Sequence, residues 1–379
     1  MKIAYFTESL LPHVDGVSRT LAQLFATLEA RGEEFRVHSP FVPGPEVSWS
    51  GRVRPVRYVR FPLYPDYRVT LPLGHGVGRE LDAWGPDLVH VVSPTPMASW
   101  AQRWARRRGV PVVSSFHTHF VSYFRYYGFP ALEGFGWGML RRFYARCARV
   151  YAPSRSIIRE LESHGVRRLE LWSRGIDTAR FGPGFRDPEL RRAVGADDDT
   201  PLVLLVSRLV KEKDLADLVE MDRVLRGRGV HYRLALVGDG PMRAELEESL
   251  PHAHFAGHQA GDALARWYAS ADLFVFPSTT ETFGNVVLEA MASGLPAVVV
   301  DRGGPPDQVE PGENGWIAPA NRPAELAERV EQLLRDPEAR ARMGRGAVES
   351  ARERDWSAIN GRLLESYREV AAAGREGAA

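Results

Sequence analysis

"DLFVFPSTTETFGNVVLEAMASGLPAVVV", residues 272–300, reads as one complete strand–loop–helix–strand unit. Its opening "DLFVFPS" is short, apolar and rich in aromatic and β-branched residues, the pattern of a strand buried on both faces. After the polar loop "TTETFG" comes "NVVLEAMASG", a helix that Gly294 closes and that Pro296 cannot continue. A second buried strand, "PAVVV", follows. Buried strands joined through a helix run parallel, whereas antiparallel neighbours need only a hairpin. The unit therefore predicts an α/β protein built on doubly wound parallel sheets.

The same alternation extends outward from this unit. Upstream, "PLVLLVSRL", "YRLALVGDG" and "HFAGH" are strands, and "DLADLVEMDRVLRGRG" is helical. The amino-terminal half repeats the pattern with strands "KIAYFTE", "PDLVHVVSP", "PVVSSFH" and "RVYAPS". Between them lie helices, "VSRTLAQLFATLEARG" with Leu21, Leu24, Phe25 and Leu28 on one face, "MASWAQRWARRRG" and "SIIRELESHG". A chain of 379 residues is too long for one comfortable core, so two domains facing a cleft are expected. Gly, Pro and acidic residues interrupt the pattern over 182–201 and mark the junction region. The expected division is a Rossmann-like domain over residues 1–173, a second over 174–355, and a closing helix with a frayed tail over 356–379.

With 44% apolar and 26% charged residues, the composition is that of a globular protein. A single cysteine, Cys147, rules out an internal disulfide and suits a reducing compartment. The opening "MKIAYFTES" lacks signal-peptide features and no run of 18 apolar residues occurs, so a cytoplasmic location is expected. The net charge of +1 conceals an asymmetry: residues 1–173 hold 23 Lys plus Arg against 14 Asp plus Glu, a balance of +9. Such a half either meets an anionic surface, phospholipid or nucleic acid, or carries scattered solvated arginines. Only Lys2, Lys211 and Lys213 are lysines, and two of the three share one loop.

Ligands of open α/β sheets bind beyond the carboxyl ends of the strands, and four such places carry chemistry. Gly16 precedes the first helix, where backbone N–H groups either approach a phosphate or merely make a tight turn. His117, after "PVVSS", is placed to hydrogen-bond a sugar hydroxyl or move a proton. Arg208 and Lys213, five apart on one loop, suit the adjacent phosphates of a diphosphate, or are solvated cations. In the opening unit, backbone N–H groups at Phe283, Gly284 and Asn285 face a phosphate, and Glu289 lies about one turn above, suited to the diol of a ribose. Glu281, in the loop, reaches a sugar beyond the diphosphate; the bland alternative makes Glu281 a turn acid and Glu289 a salt-bridge partner.

Metal readings are weaker. His117 with His119, and His252, His254 and His258, lack a supporting cluster of carboxylates or cysteines, and Asp197–Asp199 lies in the junction region. Neither a G-x-G-x-x-G after a strand nor a P-loop occurs.

The assembled motifs resemble the family-four retaining glycosyltransferases of GT-B fold. "LPHVDGVSRTL", "SSFHTHF", "SRGIDTARF", "VSRLVKEKD", "LVGDGPMRAELE", "PSTTETFGNVVLEAMASGLPAVV" and "GENGWIAP" stand in the family's order over nearly the whole chain. The resemblance implies two Rossmann-like domains, with the closing helix packing back on the first and the nucleotide held by the second. It implies that Gly16, Arg208 and Lys213 meet the diphosphate of a nucleotide-sugar donor and that Glu281, with backbone at Phe283 and Gly284, holds the sugar. Glu289 takes the ribose, and His117 sits beside the sugar on the acceptor side. It further implies no metal or other cofactor, retention of anomeric configuration by same-face attack, and no nucleic-acid partner.

"FTESLLPHVDGVSRTL" and "VRYVRFPLYPDYRVTLP" resemble the branch that passes mannose, glucose or sulfoquinovose to lipid acceptors, GDP-mannose-dependent α-mannosyltransferases among them. The expected reaction is therefore transfer of mannose from GDP-mannose to a lipid or glycolipid at the inner membrane face. The alternatives are a UDP-sugar donor, or a nucleotide-sugar-binding protein without turnover. Asp15 departs from the pattern, since many relatives carry Gly or Asn before the glycine. Residues 119–150 mix aromatics with Arg141, Arg142, Arg146 and Arg149, either as an interfacial helix touching anionic lipid or as ordinary core.

Overall fold

The computed structural model describes residues 1–61, 64–71, 75–118 and 130–376. His119, the remainder of 119–129 and the tail 377–379 lie outside the described residues. Described residues 1–118, 130–174 and 356–376 form one compact unit, and 175–355 form another. Residues 182–201 lie wholly within the second unit, where Pro188–Ala193 is a short helix capped by Asp187.

The second unit is built on a six-stranded parallel sheet in the order His254–Gly257, Arg233–Val237, Leu202–Val206, Leu273–Phe276, Ala297–Val300, Gly315–Ala318. Every residue of Leu202–Val206 is buried, and side chains alternate between two cores because a strand has a period of two. Leu202, Leu204 and Val206 pack with Phe274, Phe276, Val287 and Met291, whereas Val203 and Leu205 pack with Leu215, Leu218, Met221, Leu225 and Val330. Each buried Leu or Val contributes roughly 1.5–3 kcal/mol, more than the approximately 1–2 kcal/mol needed to fix its backbone.

The first unit has seven parallel strands in the order Val53–Pro55, Glu34–Ser39, Lys2–Phe6, Leu88–Val91, Val112–Ser115, Arg149–Ala152, Leu169–Leu171. An antiparallel pair, Tyr58–Phe61 with Tyr64–Thr70, stands apart from this sheet. The helix Gly16–Ala30 lays Leu21, Leu24, Phe25 and Leu28 onto Ile3 and Tyr5. The closing helix Trp356–Glu376 adds Ile359, Leu363, Leu364 and Tyr367 to that core. Asn360 fixes its position, accepting from Trp172 Nε1 at 3.2 Å and donating to Thr27 Oγ1 at 3.0 Å.

Both sheets share one organisation. The first strand of each unit is central, with the second on one side and the fourth on the other. Loops leaving those central neighbours diverge to opposite faces and open a crevice at the carboxyl edge. In the second unit the crevice is bordered by residues 207–214 and 277–284. The α/β class and doubly wound parallel sheets expected from the pattern are those the chain adopts.

Candidate functional site

Lys213 and Glu281 meet at the crevice of the second unit, and Arg208 stands on the same loop as Lys213. Lys213 is buried and its Nζ lies 2.5 Å from Glu281 Oε1. Arg208 extends into solvent, 66% exposed, with Nη2 3.6 Å from Glu212 Oε1. The two loops carrying these groups are tied together. Asp214 holds a left-handed backbone at φ 54°, and its Oδ2 accepts from both the amide and the hydroxyl of Thr279 at 2.8 Å. Thr280 Oγ1 donates to Glu212 O at 2.8 Å. A buried ammonium is costly unless paired, so Glu281 offsets Lys213 while Arg208 stays available to an incoming anion.

The helix Asn285–Ala292 begins beside this pair. Its N-cap is Gly284 at φ 85°, a left-handed conformation that strains residues bearing a Cβ. No side chain caps this helix, so the N–H groups of Asn285 and Val286 are left for an anion or water, while Val287 N donates to Gly284 O at 3.0 Å. Gln308 Nε2 donates to Phe283 O at 2.5 Å and Gly284 O at 3.2 Å, fixing the loop from behind. Gly304 N donates to Glu281 O at 2.7 Å, and a Cβ on Gly304 would meet Thr282 O at 2.3 Å. Glu289 is buried inside the helix, and its Oε2 accepts from Tyr268 Oη at 2.9 Å.

Gly16 and His117 belong to the first unit. Gly16 opens the helix Gly16–Ala30, and Asp15 caps it: Asp15 Oδ1 accepts from Ser18 N at 2.7 Å and from Ser9 Oγ at 2.7 Å. The residue that departs from the family pattern is thus an N-cap whose carboxylate already serves the helix end.

His117 is held on both sides. Arg174 Nη2 lies 3.0 Å from Nδ1, and Ser115 Oγ lies 2.8 Å from Nε2. Because arginine only donates, Nδ1 carries the lone pair and the proton sits on Nε2. The Ser115 hydroxyl then donates to His90 Nε2 at 2.8 Å, and His90 Nδ1 donates to Tyr367 Oη at 2.5 Å. Burial keeps both rings neutral, with His117 well below the usual imidazole range, helped by the Arg174 charge, and His90 pushed down to about 3. Burial also lowers Arg174 to about 9.

Glu8, at the carboxyl edge of the first sheet, is a buried acid the sequence pattern did not single out. It follows the central strand Lys2–Phe6, its Oε1 accepts from Thr70 Oγ1 at 2.8 Å, and burial raises its carboxyl to about 7. The signal was present in "FTES", a carboxylate two residues beyond a buried strand. Asp214, Gln308 and Tyr268 carry no local sequence signal because their partners lie far away in sequence, whereas the pair Gly303–Gly304 is visible as "GG" soon after "PAVVV".

Among the described residues no group of three or more His, Cys, Asp or Glu is arranged to hold a metal ion. His252 instead lies 3.1 Å from Asp222 Oδ1, and His254 stacks on Trp267. Asp197 Oδ1 accepts from the amides of Asp199 and Thr200, a local turn. No described helix is long and apolar enough to cross a membrane.

Residues 14–180 match the family model described as Glycosyltransferase Family 4, and residues 186–350 match Glycosyl transferases group 1. A GDP-mannose-dependent alpha-mannosyltransferase of Mycobacterium tuberculosis is 35% identical over 376 residues, 98% of this chain and 97% of that protein. A sulfoquinovosyl transferase of Arabidopsis thaliana is 33% identical over 96% of this chain and 72% of its own length. Among solved structures, the Anabaena protein HepE in complex with UDP superposes with a TM-score of 0.76 at 21% identity, over 97% of this chain and 100% of that one. One family model covers most of the first unit and the other the second sheet, and relatives above 30% identity span 96–98% of the chain; the chain belongs to the group 1 glycosyltransferases of family 4 and is a glycosyltransferase of GT-B fold class.

Proposed function

We propose that this enzyme moves mannose from GDP-mannose to a lipid or glycolipid acceptor, with retention of configuration and without a divalent metal. The observation that carries the reading is the Lys213–Glu281 pair beside exposed Arg208 at the crevice of the second sheet. Three relatives 32–35% identical over 98% of the chain are GDP-mannose-dependent alpha-mannosyltransferases, which supports the donor.

In this reading Arg208 and Lys213 neutralise the departing diphosphate, the role a metal fills elsewhere. The uncapped start of Asn285–Ala292 adds backbone N–H groups at Phe283, Gly284 and Asn285. Glu281 binds hydroxyls of the sugar, and Glu289, steadied by Tyr268, takes the ribose. The bond from the anomeric carbon to the diphosphate breaks, and the acceptor oxygen bonds on the same face. A diphosphate oxygen receives the acceptor's proton. His117, with both ring nitrogens engaged by Arg174 and Ser115, orients the acceptor side as a neutral ring.

Peripheral contact with an anionic membrane is supported by the helix Glu133–Tyr144. Leu132, Phe135 and Met139 are exposed along it, and Arg141 and Arg142 stand in its last turn. Arg149 lies outside this surface, in a strand, paired with Glu170 and Glu369.

The test is incubation with GDP- and UDP-sugars, with and without membrane lipid extract, in EDTA. Lipid-dependent release of GDP from GDP-mannose is expected. Release from UDP-sugars alone overturns the donor, and loss of activity in EDTA overturns the metal-free mechanism.

A further inference from the structure

The amino edge of the first sheet lies opposite the edge that carries Glu8 and His117, because its strands are parallel. At that edge, beside the starts of Val112–Ser115 and Arg149–Ala152, is a cavity of about 380 Å³. Four of its lining residues are arginines. Arg103 and Arg106 come from the last turn of Pro96–Arg106, Arg146 follows Glu133–Tyr144, and Arg168 precedes Leu169–Leu171.

No Asp or Glu lines the cavity, and none of the four arginines is in an ion pair with a described residue. Two helix carboxyl ends converge here and supply about half a negative charge each. They offset roughly one of the four positive charges, leaving an excess of about three. Arg168 adopts φ 58°, uncommon for a residue with a Cβ, and its Nη2 donates to Ala145 O at 2.8 Å. Gln102, only 3% exposed, also lines the cavity; its Nε2 donates to Phe143 O at 3.2 Å, and its Oε1 has no partner among the described residues. The four guanidinium groups repel one another around one cavity, and a ligand that brings negative oxygens offsets that repulsion.

We propose that this cavity binds a compact phosphate ester bearing two or more negative charges, at a site separate from the donor crevice. Guanidinium forks match phosphate oxygens in pairs, and the volume lies in the usual range for small-molecule pockets. The phosphate can belong to a soluble metabolite or to a lipid headgroup, and the experiment distinguishes the two.

The experiment uses the full chain and radiolabelled pyrophosphate in equilibrium dialysis at low salt. Arg208→Ala with Lys213→Ala removes the proposed diphosphate subsite, and this chain is expected still to bind one pyrophosphate. Adding Arg103→Gln and Arg146→Gln is expected to weaken that binding at least tenfold. Arg103→Gln with Arg146→Gln alone leaves donor-dependent nucleotide release unchanged, which also shows that the variant folds.

Flotation with phosphatidylcholine vesicles containing phosphatidate separates the sources. Loss of flotation in Arg103→Gln/Arg146→Gln assigns a headgroup, and undiminished flotation with lost pyrophosphate binding assigns a soluble ester. Failure of the Arg208→Ala/Lys213→Ala chain to bind pyrophosphate, or binding insensitive to Arg103 and Arg146, overturns the proposal.

Discussion

Asp15 places a carboxylate at the start of the helix that Gly16 opens. Asparagine caps a helix about as well as aspartate, so Asp15→Asn is expected to change stability by less than about 1 kcal/mol, which urea unfolding checks. Glu8 acts through its proton. Burial raises it from 4.5 to about 7, so the folded chain keeps a proton that the unfolded chain has released. Its stabilising contribution is full below pH 4.5 and is lost as pH rises through 7, a total of about 3 kcal/mol. Glu8→Gln removes that dependence, so its stability relative to the parent should rise by about 3 kcal/mol between pH 4.5 and 8 in urea titrations.

At the scale of elements, the second unit's site is a matter of two loops and the glycines that let a third approach. Gly304 lies against residues 281–283, where a Cβ would come within 2.3 Å of Thr282 O. Gly304→Ala forces the loop apart and breaks the hydrogen bond to Glu281 O. A loss of about 2–4 kcal/mol and a donor KM raised at least tenfold are expected, read from thermal unfolding and kinetics.

Which elements the sequence made legible follows from their burial. Leu202–Val206, Leu273–Phe276 and Ala297–Val300 announce themselves as apolar runs because both faces are covered. The strands Glu34–Ser39, Val53–Pro55 and Leu169–Leu171 did not, since polar and charged residues dilute the run in "EFRVHS", "VRP" and "LEL". Helix Glu133–Tyr144 was legible only in part. The aromatic and arginine pattern runs on through Arg149, whereas the helix ends at Tyr144. Within the site, Lys213 and Glu281 were each legible from position after a strand. Their direct pairing was not, because 68 residues separate them. The His117–Ser115–His90–Tyr367 chain was hidden for the same reason, being closed by the C-terminal helix.

Across the whole molecule, the histidines held furthest below the usual imidazole range lie in the first unit, while partial burial also lowers His254 of the second. His38 and His90 are buried and His117 is half-buried, each pushed below the usual imidazole range by desolvation, with Arg54 and Arg36 adding to the effect at His38 and Arg174 at His117. Folded-state values below the unfolded one give stability that is present above pH 6.5 and lost as pH falls. Each histidine removes roughly 1.4 kcal/mol per pH unit, about 4 kcal/mol per unit for the three. Glu8, gaining stability over part of the same range, offsets about one of them. Hydrogen exchange at pH 4.5 should therefore show the strands of residues 2–6 and 88–91 losing protection before those of 202–206 and 273–276.

The central claim is that the Lys213–Glu281 pair handles the donor. Its most direct test is turnover of GDP-mannose by Lys213→Ala and by Glu281→Gln, each confirmed folded by thermal unfolding. Loss of one preorganised charge from a transition-state site costs about a hundredfold or more in kcat, and a fall of that size in both variants is the predicted result. Turnover equal to that of the parent chain in either variant would contradict it.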